Sequence, residues 1–384
     1  MIYLDYNATT PLHPKAKKAI QLNANRFGNP SSIHHYGRSV KEIIENTRHV
    51  LAEWLNTSPE NLFFTSSGTE SNNAVLKSLL NGDAAKKHLI TSQIEHPSIL
   101  ETCRFLERHG VKVSYAPVNT DGIVDSMFIE NAICSDTSLI SIMLANNETG
   151  ALQPIREIAA IAHRHGIPLH TDAVQAVGKI PLSLSDLNLA FLSLSGHKCY
   201  APQGVGVLYC VDEKSFPPLI HGGGQERKKR GGTENTLGIL ALGASVSAMM
   251  EEYQEDSARI AELTAFFESE LLGRIPDTLL NGHPTQRLPG TCNISFLGLS
   301  AQVLVMRFDL AGIAVSTGSA CSTGSIEPSH VLRAMGIEKE RLHSAVRFSL
   351  GKWTTKEELT DVLEHASDIV AELRHSHENH EYRS

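Results

Sequence analysis

The sequence predicts an α/β fold, with a large domain built around a mostly parallel sheet and a smaller α+β domain after it. From about residue 61 to 210, short apolar runs of strand length alternate with longer amphipathic runs of helical length. Strands that alternate with helices imply crossover connections and a sheet covered on both faces. A chain of 384 residues also exceeds what one small core usually supports, so two domains are expected.

Local patterns predict the individual elements. A long helical stretch from about 236 to 272 contains the domain boundary, and the smaller domain follows it. Two helices begin with a proline at a first-turn position, where its missing N–H costs nothing. The predicted helices lie at 97–109 and 154–165, and the predicted strands at 62–65, 89–91, 111–115, 139–144, 167–171, 189–194, 291–296 and 345–350.

Composition limits the classes of function. Hydrophobic residues make up 41% and charged residues 20% of the chain, which are ordinary values for a globular protein. The 34 basic residues are outnumbered by 42 acidic ones, and the net charge of −8 disfavours direct nucleic-acid binding. No stretch approaches the ~18 apolar residues of a spanning helix, and the first residues lack the pattern of a signal peptide. We therefore expect a cytoplasmic protein with no membrane partner.

The cysteines are scattered and form no CxxC pair, which argues against a disulfide scaffold and a zinc knuckle. A reducing compartment and no resident metal are therefore expected. Cys321 stands among glycine, serine, threonine and alanine in 316–325, residues too small to anchor a loop by burial, so its thiol is expected to be accessible. The other five lie in apolar or helical runs typical of core packing: Cys103, Cys134, Cys199, Cys210 and Cys292.

Lys198 follows the apolar run 189–194, so a primary amine is placed where a buried strand ends. Lysine becomes a nucleophile when its amine is desolvated or lies near other cations, and it can then hold a carbonyl cofactor as a Schiff base. Ser195 and His197 beside it can donate to a phosphate group. The alternative is a surface lysine, which is the commonest location for this residue type.

Other polar residues also follow predicted strands, where ligands bind in parallel α/β sheets. Gly68 and Thr69 open a helical run, whose free N–H groups can bind a phosphate or simply be capped. Asp172 and Gln175 are close enough to reach one planar ligand, and Asp172 either pairs with a protonated pyridine nitrogen or caps a helix. His96 can stack on an aromatic cofactor or relay protons, unless it is a hydrogen-bonded structural residue.

Three further features each have two interpretations. Asn147 follows a buried strand, either in a functional site or in a plain polar turn. The basic run 227–230 lies among glycines but matches no nucleotide-binding pattern, so it is a solvated loop or an anion cup rather than an RNA contact. Arg347 lies in a strand-like run, where a buried guanidinium needs a carboxylate partner and its fork suits an amino-acid substrate.

Taken in order along the chain, these motifs resemble the pyridoxal-phosphate-dependent cysteine desulfurases of the class-V aminotransferase family, in the NifS/IscS-like group. The resemblance spans almost the whole chain and depends on the order and spacing of short motifs. The motifs are Asp-Tyr-Asn-Ala-Thr-Thr-Pro at 5–11, Gly-Thr-Glu-Ser at 68–71, Glu-His at 95–96, Asn-Asn-Glu-Thr-Gly at 146–150, Asp-Ala-Val-Gln at 172–175, Ser-Gly-His-Lys at 195–198, Arg-Gly-Gly-Thr-Glu-Asn at 230–235, Ser-Ala-Cys at 319–321 and Arg-Phe-Ser at 347–349.

The resemblance implies the fold of fold-type-I pyridoxal-phosphate-dependent transferases and a homodimer. The large domain would span 14–255, and the small domain, 1–13 with 256–384, would carry the catalytic cysteine loop. Lys198 would hold pyridoxal 5′-phosphate. The other cofactor-binding residues implied are Asp172 at the pyridine nitrogen, Gln175 at the phenolic oxygen, His96 on the ring face, Asn147, and Gly68, Thr69, Ser195 and His197 at the phosphate, joined by Thr233 of the other subunit.

The implied reaction converts L-cysteine to L-alanine and leaves a persulfide on Cys321. Lys198, Cys321 and His96 would be catalytic, while Asn7, Asn147 and Arg347 would bind the substrate. The sulfur would pass to an acceptor protein, such as an iron–sulfur scaffold or a tRNA-thiolation enzyme. Selenocysteine lyase and other class-V aminotransferases are the alternatives, and Cys321 argues against a transaminase because that reaction needs no mobile thiol.

Overall fold

The computed structural model of the chain describes residues 1–81, 87–318 and 328–381. Within these residues a seven-stranded sheet has the order β2-β8-β7-β6-β5-β3-β4, and only β8 runs against its neighbours. The mostly parallel α/β prediction is therefore confirmed. The strands of this sheet are β2 (Leu62–Thr65), β3 (His88–Ser92), β4 (Lys112–Ala116), β5 (Thr137–Ser141), β6 (Leu169–Asp172), β7 (Phe191–Ser195) and β8 (Gly206–Cys210).

Two smaller sheets complete the strands of the described chain. A three-stranded antiparallel sheet has the order β12-β10-β9, and the N-terminal strand β1 pairs in parallel with β11. Residues at opposite ends of the sequence therefore lie side by side. These strands are β1 (Ile2–Tyr3), β9 (Thr278–Leu280), β10 (Thr291–Phe296), β11 (Ile313–Ala314) and β12 (Ala345–Ser349).

The helices begin where the chain offers a capping side chain or a proline. His96 accepts a hydrogen bond from the N–H of Ser98 and caps α4, with Pro97 in the first turn as predicted. Pro154, in contrast, is itself the N-cap residue of α6 rather than a first-turn residue. The helices are α1 (Pro14–Asn23), α2 (His35–Leu55), α3 (Gly68–Lys77), α4 (Pro97–Arg108), α5 (Ser126–Ala132), α6 (Ile155–Arg164), α7 (Thr236–Arg274), α8 (Ala301–Leu310), α9 (His330–Ala334), α10 (Lys339–His343) and α11 (Lys356–Glu381).

Both faces of the large sheet are buried. Successive residues of a strand point to opposite faces, and on β3 Leu89 belongs to one hydrophobic cluster while Ile90 belongs to another. Leu139 and Ile140 of β5 divide between the same two clusters. Each strand consequently reads as a continuous apolar run, which is why runs of this kind predicted strands in the sequence.

A separate hydrophobic cluster surrounds the three-stranded sheet. It joins Leu4 from the N-terminus to Phe267 of α7 and to Phe348 of β12. Met249, nearer the start of α7, belongs instead to a cluster of the large sheet. The division into 14–255 and 1–13 with 256–384 remains a prediction, and the change of core along α7 supports it.

The cysteines were not all correctly predicted. Cys103, Cys199, Cys210 and Cys292 are buried, in line with core packing, but Cys134 is exposed. Cys134 follows the short helix α5, where the chain turns at the surface before β5. Cys321 lies outside the described residues.

The basic segment 227–230, for which a solvated loop or an anion cup was expected, is exposed at Arg227 and Lys228 but anchored to the protein by several contacts. Residues 226–228 form a left-handed turn, with φ values of 44°, 55° and 67°. The turn directs the Glu226 carboxylate into the core, where it accepts hydrogen bonds from Arg48 at 2.8 Å and from the N–H of Phe64 at 2.8 Å. Arg230 pairs with Glu70 at 3.0 Å. The positive charges of this segment are therefore largely used within the chain.

Removing the Glu226 carboxylate should destabilise the fold strongly. A Glu226→Gln substitution removes the buried counter-charge of Arg48 and leaves its guanidinium only the more exposed Glu45 carboxylate, a change that typically costs about 3–5 kcal/mol. Urea unfolding, monitored by circular dichroism, measures the decrease in the free energy of unfolding. The matched control is Glu101→Gln, which removes an exposed pair with Arg104 and should cost less than about 1 kcal/mol. Equal effects of the two substitutions would contradict the anchoring role of Glu226.

Candidate active site

The predicted site residues converge on one cavity. It has a volume of about 410 Å³ and lies at the carboxyl ends of β6 and β7 and the N-terminal end of α3. That volume is in the range of small-molecule and cofactor sites. Eleven of the predicted residues line it: Asn7, Gly68, Thr69, His96, Asn147, Asp172, Gln175, Ser195, His197, Lys198 and Arg347.

Lys198 ends a single helical turn directly after β7, and its side chain reaches the cavity wall. Its Nζ donates hydrogen bonds to the backbone carbonyls of Asn7 and Ala8. Burial, together with the nearby Arg347 cation, lowers the pKa of Lys198 to about 8, while the carboxylates of Asp5 and Asp172 oppose the shift. Lys198 is therefore a partly desolvated, nucleophilic amine and not a surface lysine.

Asp172 is the last residue of β6 and is 6% exposed. Its Oδ1 accepts from the N–H of Val174 at 3.0 Å, and its Oδ2 accepts from Asn72 Nδ2 at 2.7 Å. Among the residues that the structure describes, no lysine or arginine forms an ion pair with this carboxylate. A buried carboxylate with two neutral donors is well placed to receive a cationic N–H from a ligand.

One end of the cavity suits a phosphate group. Helix α3 begins at Gly68, and a Cβ there would come within 2.5 Å of Val174 Cγ2, so glycine lets the helix start close to the sheet. Thr69, in the first turn, and Ser195, at the end of β7, border the same end. Burial and the neighbouring Lys198 lower the pKa of His197 to about 4, so its ring is neutral at pH 7. Free N–H groups and hydroxyls at a helix N-terminus are typical of anion sites.

His96 and Gln175 line the same cavity as Asp172 and Lys198. Burial is the main reason that the pKa of His96 lies below its ordinary value, and the Lys198 cation adds to it while Asp172 opposes it. His96 Nδ1 accepts from the N–H of Ser98, so the neutral ring carries its hydrogen on Nε2. His96 is therefore a hydrogen-bonded structural residue that also lines the cavity, and its role toward a ligand stays a prediction.

Arg347 has the carboxylate partner that its burial requires. Its Nη2 lies 2.7 Å from Asp5 Oδ1, and its Nη1 donates to the Asn147 carbonyl at 2.9 Å. Its Nε is buried and, within the described residues, lacks a hydrogen-bond partner. Asn7 contacts the same carbonyl of Asn147 from the opposite side, at 3.2 Å. Arg347, Asn7 and Asn147 therefore lie together at this wall of the cavity and are linked by their own hydrogen bonds.

Two predicted residues do not line the cavity. Thr233 is exposed and borders a separate groove beside Arg230. Cys321 lies outside the described residues, but Ser316 and Gly318, just before that segment, line the cavity. Ser329, just after it, donates to the buried carboxyl group of Glu148 at 2.5 Å. Both ends of the segment that carries Cys321 are therefore tied to the site.

Sequence reasoning missed several residues that support the site. Asn72 connects Asp172 to Ser98 through its amide, with hydrogen bonds of 2.7 and 2.9 Å. Glu95 is fully buried, and burial raises its pKa to about 8, so its carboxyl group is largely neutral at pH 7. Lys179 contacts both Asn7 and Gln175. Glu95 stands in the Glu-His motif itself but was given no role of its own, whereas Asn72 and Lys179 each lie within four residues of a motif.

These features fit pyridoxal phosphate, which carries an aldehyde, a pyridine nitrogen, a phenolic oxygen and a phosphate. The cavity offers an amine at Lys198, a carboxylate at Asp172 and the helix terminus at Gly68. In addition, Asn72 Oδ1 is buried and has no hydrogen-bond partner in the described parts of the chain. The donors and acceptors are thus complementary to each group of that cofactor.

Comparison with known proteins gives the family. The model of the family described as aminotransferase class-V matches residues 2–362. Cysteine desulfurase IscS of Dictyoglomus turgidum is 44% identical over 375 residues, which cover 97% of this chain and 95% of the relative. A solved NifS-like protein has a TM-score of 0.91 at 35% identity and covers 96% of this chain and 99% of its own. SspA, solved in complex with cysteine, has a TM-score of 0.82 at 36% identity and covers 92% and 100%.

No helix in the described part of the chain has the length and apolar character needed to cross a membrane. The family match covers most of the residues, and the relatives match over nearly their full length. The chain therefore belongs to the class-V aminotransferase family and, within it, to the pyridoxal-phosphate-dependent cysteine desulfurases.

Proposed function

We propose that this enzyme converts L-cysteine to L-alanine and transfers the sulfur to Cys321 as a persulfide, with pyridoxal phosphate linked to Lys198. The observation that carries the proposal is the partly desolvated Lys198 amine, which shares a cofactor-sized cavity with Asp172 and the N-terminus of α3. The names of the relatives and the complex of SspA with cysteine support cysteine as the substrate.

The cavity residues would hold the cofactor at several points. Asp172 would accept the pyridine N–H, with Asn72 keeping the carboxylate in place through its hydrogen bond to Oδ2. Gln175 would donate to the phenolic oxygen, and His96 would lie against the ring. Gly68, Thr69, Ser195 and His197 would bind the phosphate, with Thr233 of a second subunit. When bound, pyridoxal phosphate supplies an electron sink that stabilises negative charge at the substrate α-carbon.

Lys198 would transfer protons during the reaction, because its amine lies in the cavity. A pKa of about 8 lets Nζ exist in both protonation states near neutral pH. Lys198 would take the proton from the substrate α-carbon and donate one later, as alanine forms. His96 is neutral and carries its hydrogen on Nε2, so it can donate to a group in the cavity while Ser98 holds Nδ1.

Sulfur transfer requires Cys321 to reach the bound substrate. Its thiolate would attack the substrate sulfur, forming the S–S bond as the bond from that sulfur to the β-carbon breaks. The overall balance is one thiol and one cysteine giving one persulfide and one alanine. Arg347, Asn7 and Asn147 would hold the substrate carboxylate, since all three line the cavity.

The proposed assembly is a cytoplasmic homodimer that passes sulfur to an iron–sulfur scaffold or a tRNA-thiolation enzyme. Thr233 is exposed and away from its own cavity, which supports a contribution to the site of a second subunit. Phe27 and Ile33, which precede α2 in the sequence, are 69% and 89% exposed, and exposed apolar side chains are typical of a subunit interface. The five described cysteines are unpaired, which supports a reducing compartment.

The lowered pKa of Lys198 predicts how cofactor capture depends on pH. Only the neutral amine attacks an aldehyde, and with a pKa of about 8 roughly a tenth of it is neutral at pH 7. The rate at which cofactor-free protein captures pyridoxal phosphate should rise with pH and level off above about 8. Stopped-flow absorbance at several pH values measures this rate. A rate that still rises tenfold per pH unit above pH 9 would indicate an ordinary lysine.

The persulfide step predicts different outcomes for two cysteine substitutions. Cys321→Ser should lower sulfide release from cysteine by at least about a hundredfold, because the sulfur acceptor is missing, while the cofactor remains bound. Cys134→Ser is the matched control, since Cys134 is an exposed thiol outside the cavity, and it should retain activity. Alanine and sulfide assays with a reductant measure both. Wild-type sulfide release by Cys321→Ser would contradict the proposed step.

A further inference from the structure

Lys179 is a second buried amine close to Lys198. The side chain as a whole is half-buried, but its terminal amine is surrounded by protein atoms. This burial, together with the Lys198 and Arg347 cations, lowers the pKa of Lys179 to about 7. It does not line the cofactor cavity but borders a neighbouring space of only about 40 Å³, which is too small for the cofactor. Lys179 can therefore influence a bound cofactor only through the residues that it contacts.

The Nζ of Lys179 lies 2.6 Å from Asn7 Oδ1 and 2.8 Å from Gln175 Oε1. An ammonium group has three donors and no acceptor, so each of these partners must present its amide oxygen. A rotated amide would place N–H groups against a cation. Lys179 therefore fixes which way both side-chain amides face.

The orientation of Gln175 matters for the cavity. With Oε1 held by Lys179, the Gln175 NH₂ group donates one hydrogen to the Asn7 carbonyl at 2.8 Å. The second hydrogen of that group is then available to the cavity that Gln175 lines. The opposite rotamer would place an acceptor there instead, which could not bind a phenolate oxygen.

We propose that Lys179 is a positioning residue for the reaction, whose N–H donation to Gln175 Oε1 keeps the Gln175 amide turned with its own N–H toward the cofactor. This inference rests on the proposed contact of Gln175 with the phenolic oxygen. A packing role alone would not require an amine, because burial disfavours the charged form and methionine has a similar length and shape. The hydrogen bonds to two amide oxygens provide the reason for a lysine.

The test uses the full-length enzyme loaded with pyridoxal phosphate. The visible absorption of the bound cofactor is recorded as a function of pH, and the pH at the midpoint of its change is compared between variants. A donor at the phenolic oxygen stabilises the phenolate, so losing it should raise the midpoint by about 0.7 pH unit, the value of roughly one hydrogen bond. We expect this rise in Lys179→Met and in Gln175→Leu. Because Lys179 acts through Gln175, the double variant should show no more than the larger single shift.

Removing a cation could raise the midpoint without involving Gln175, and the double variant separates the two causes. A charge effect would add to that of Gln175→Leu, and such additivity would overturn the proposal. The matched control is Lys352→Met, which removes another lysine that borders the small space but pairs with Asp256, and it should leave the midpoint unchanged. Lys179→Ala serves as a second variant with the same expectation if Lys179→Met does not fold.

The outcomes also distinguish this inference from the proposed function. An unchanged midpoint in Lys179→Met, with a shifted one in Gln175→Leu, would overturn the role of Lys179 and keep that of Gln175. An unchanged midpoint in Gln175→Leu would overturn both, although the proposed roles of Lys198 and Cys321 would stand.

Discussion

The amine of Lys198 lies where a buried strand of the parallel sheet ends, with Arg347 as a neighbouring cation. Both conditions disfavour its protonated form, and both depend on the rest of the fold. The sheet brings Asp172 to the same edge, because Asp172 pairs with Ser193, two residues before the end of β7. The single helical turn 196–198 follows β7 and places Lys198 at the wall of the cavity. The chemistry thus follows from where the strands end.

The N-terminal segment 5–8 connects the large sheet to the smaller core. Asp5 pairs with Arg347 of β12, and the carbonyl of Asn7 accepts hydrogen bonds from both Lys198 and Gln175. Leu4, just before it, is buried in the cluster around β12. One short segment of chain therefore contacts residues of both cores. A shift of one core relative to the other would change the positions of Lys198 and Gln175 relative to Arg347.

Much of this could be predicted from sequence, because apolar runs and short motifs are local. The run 62–65 became β2, and Lys198 and Asp172 were found from the strand ends they follow. What could not be predicted depends on contacts between distant residues. Asp5 and Arg347 are 342 positions apart, and the exposure of Cys134 depends on how α5 meets β5. Lys179 carries no motif of its own, and its role is visible only in the direction of its hydrogen bonds.

The bond to the cofactor is expected at Lys198 and not at its neighbour Lys179, although burial lowers the pKa of both amines. Reduction of the pyridoxal-phosphate-loaded enzyme with sodium borohydride makes a Schiff base permanent, and peptide mass spectrometry then locates the modified lysine. The geometry of the cavity predicts the modification on Lys198, because among the lysines that the structure describes only Lys198 lines it. Modification of Lys179, or of neither lysine, would contradict the account.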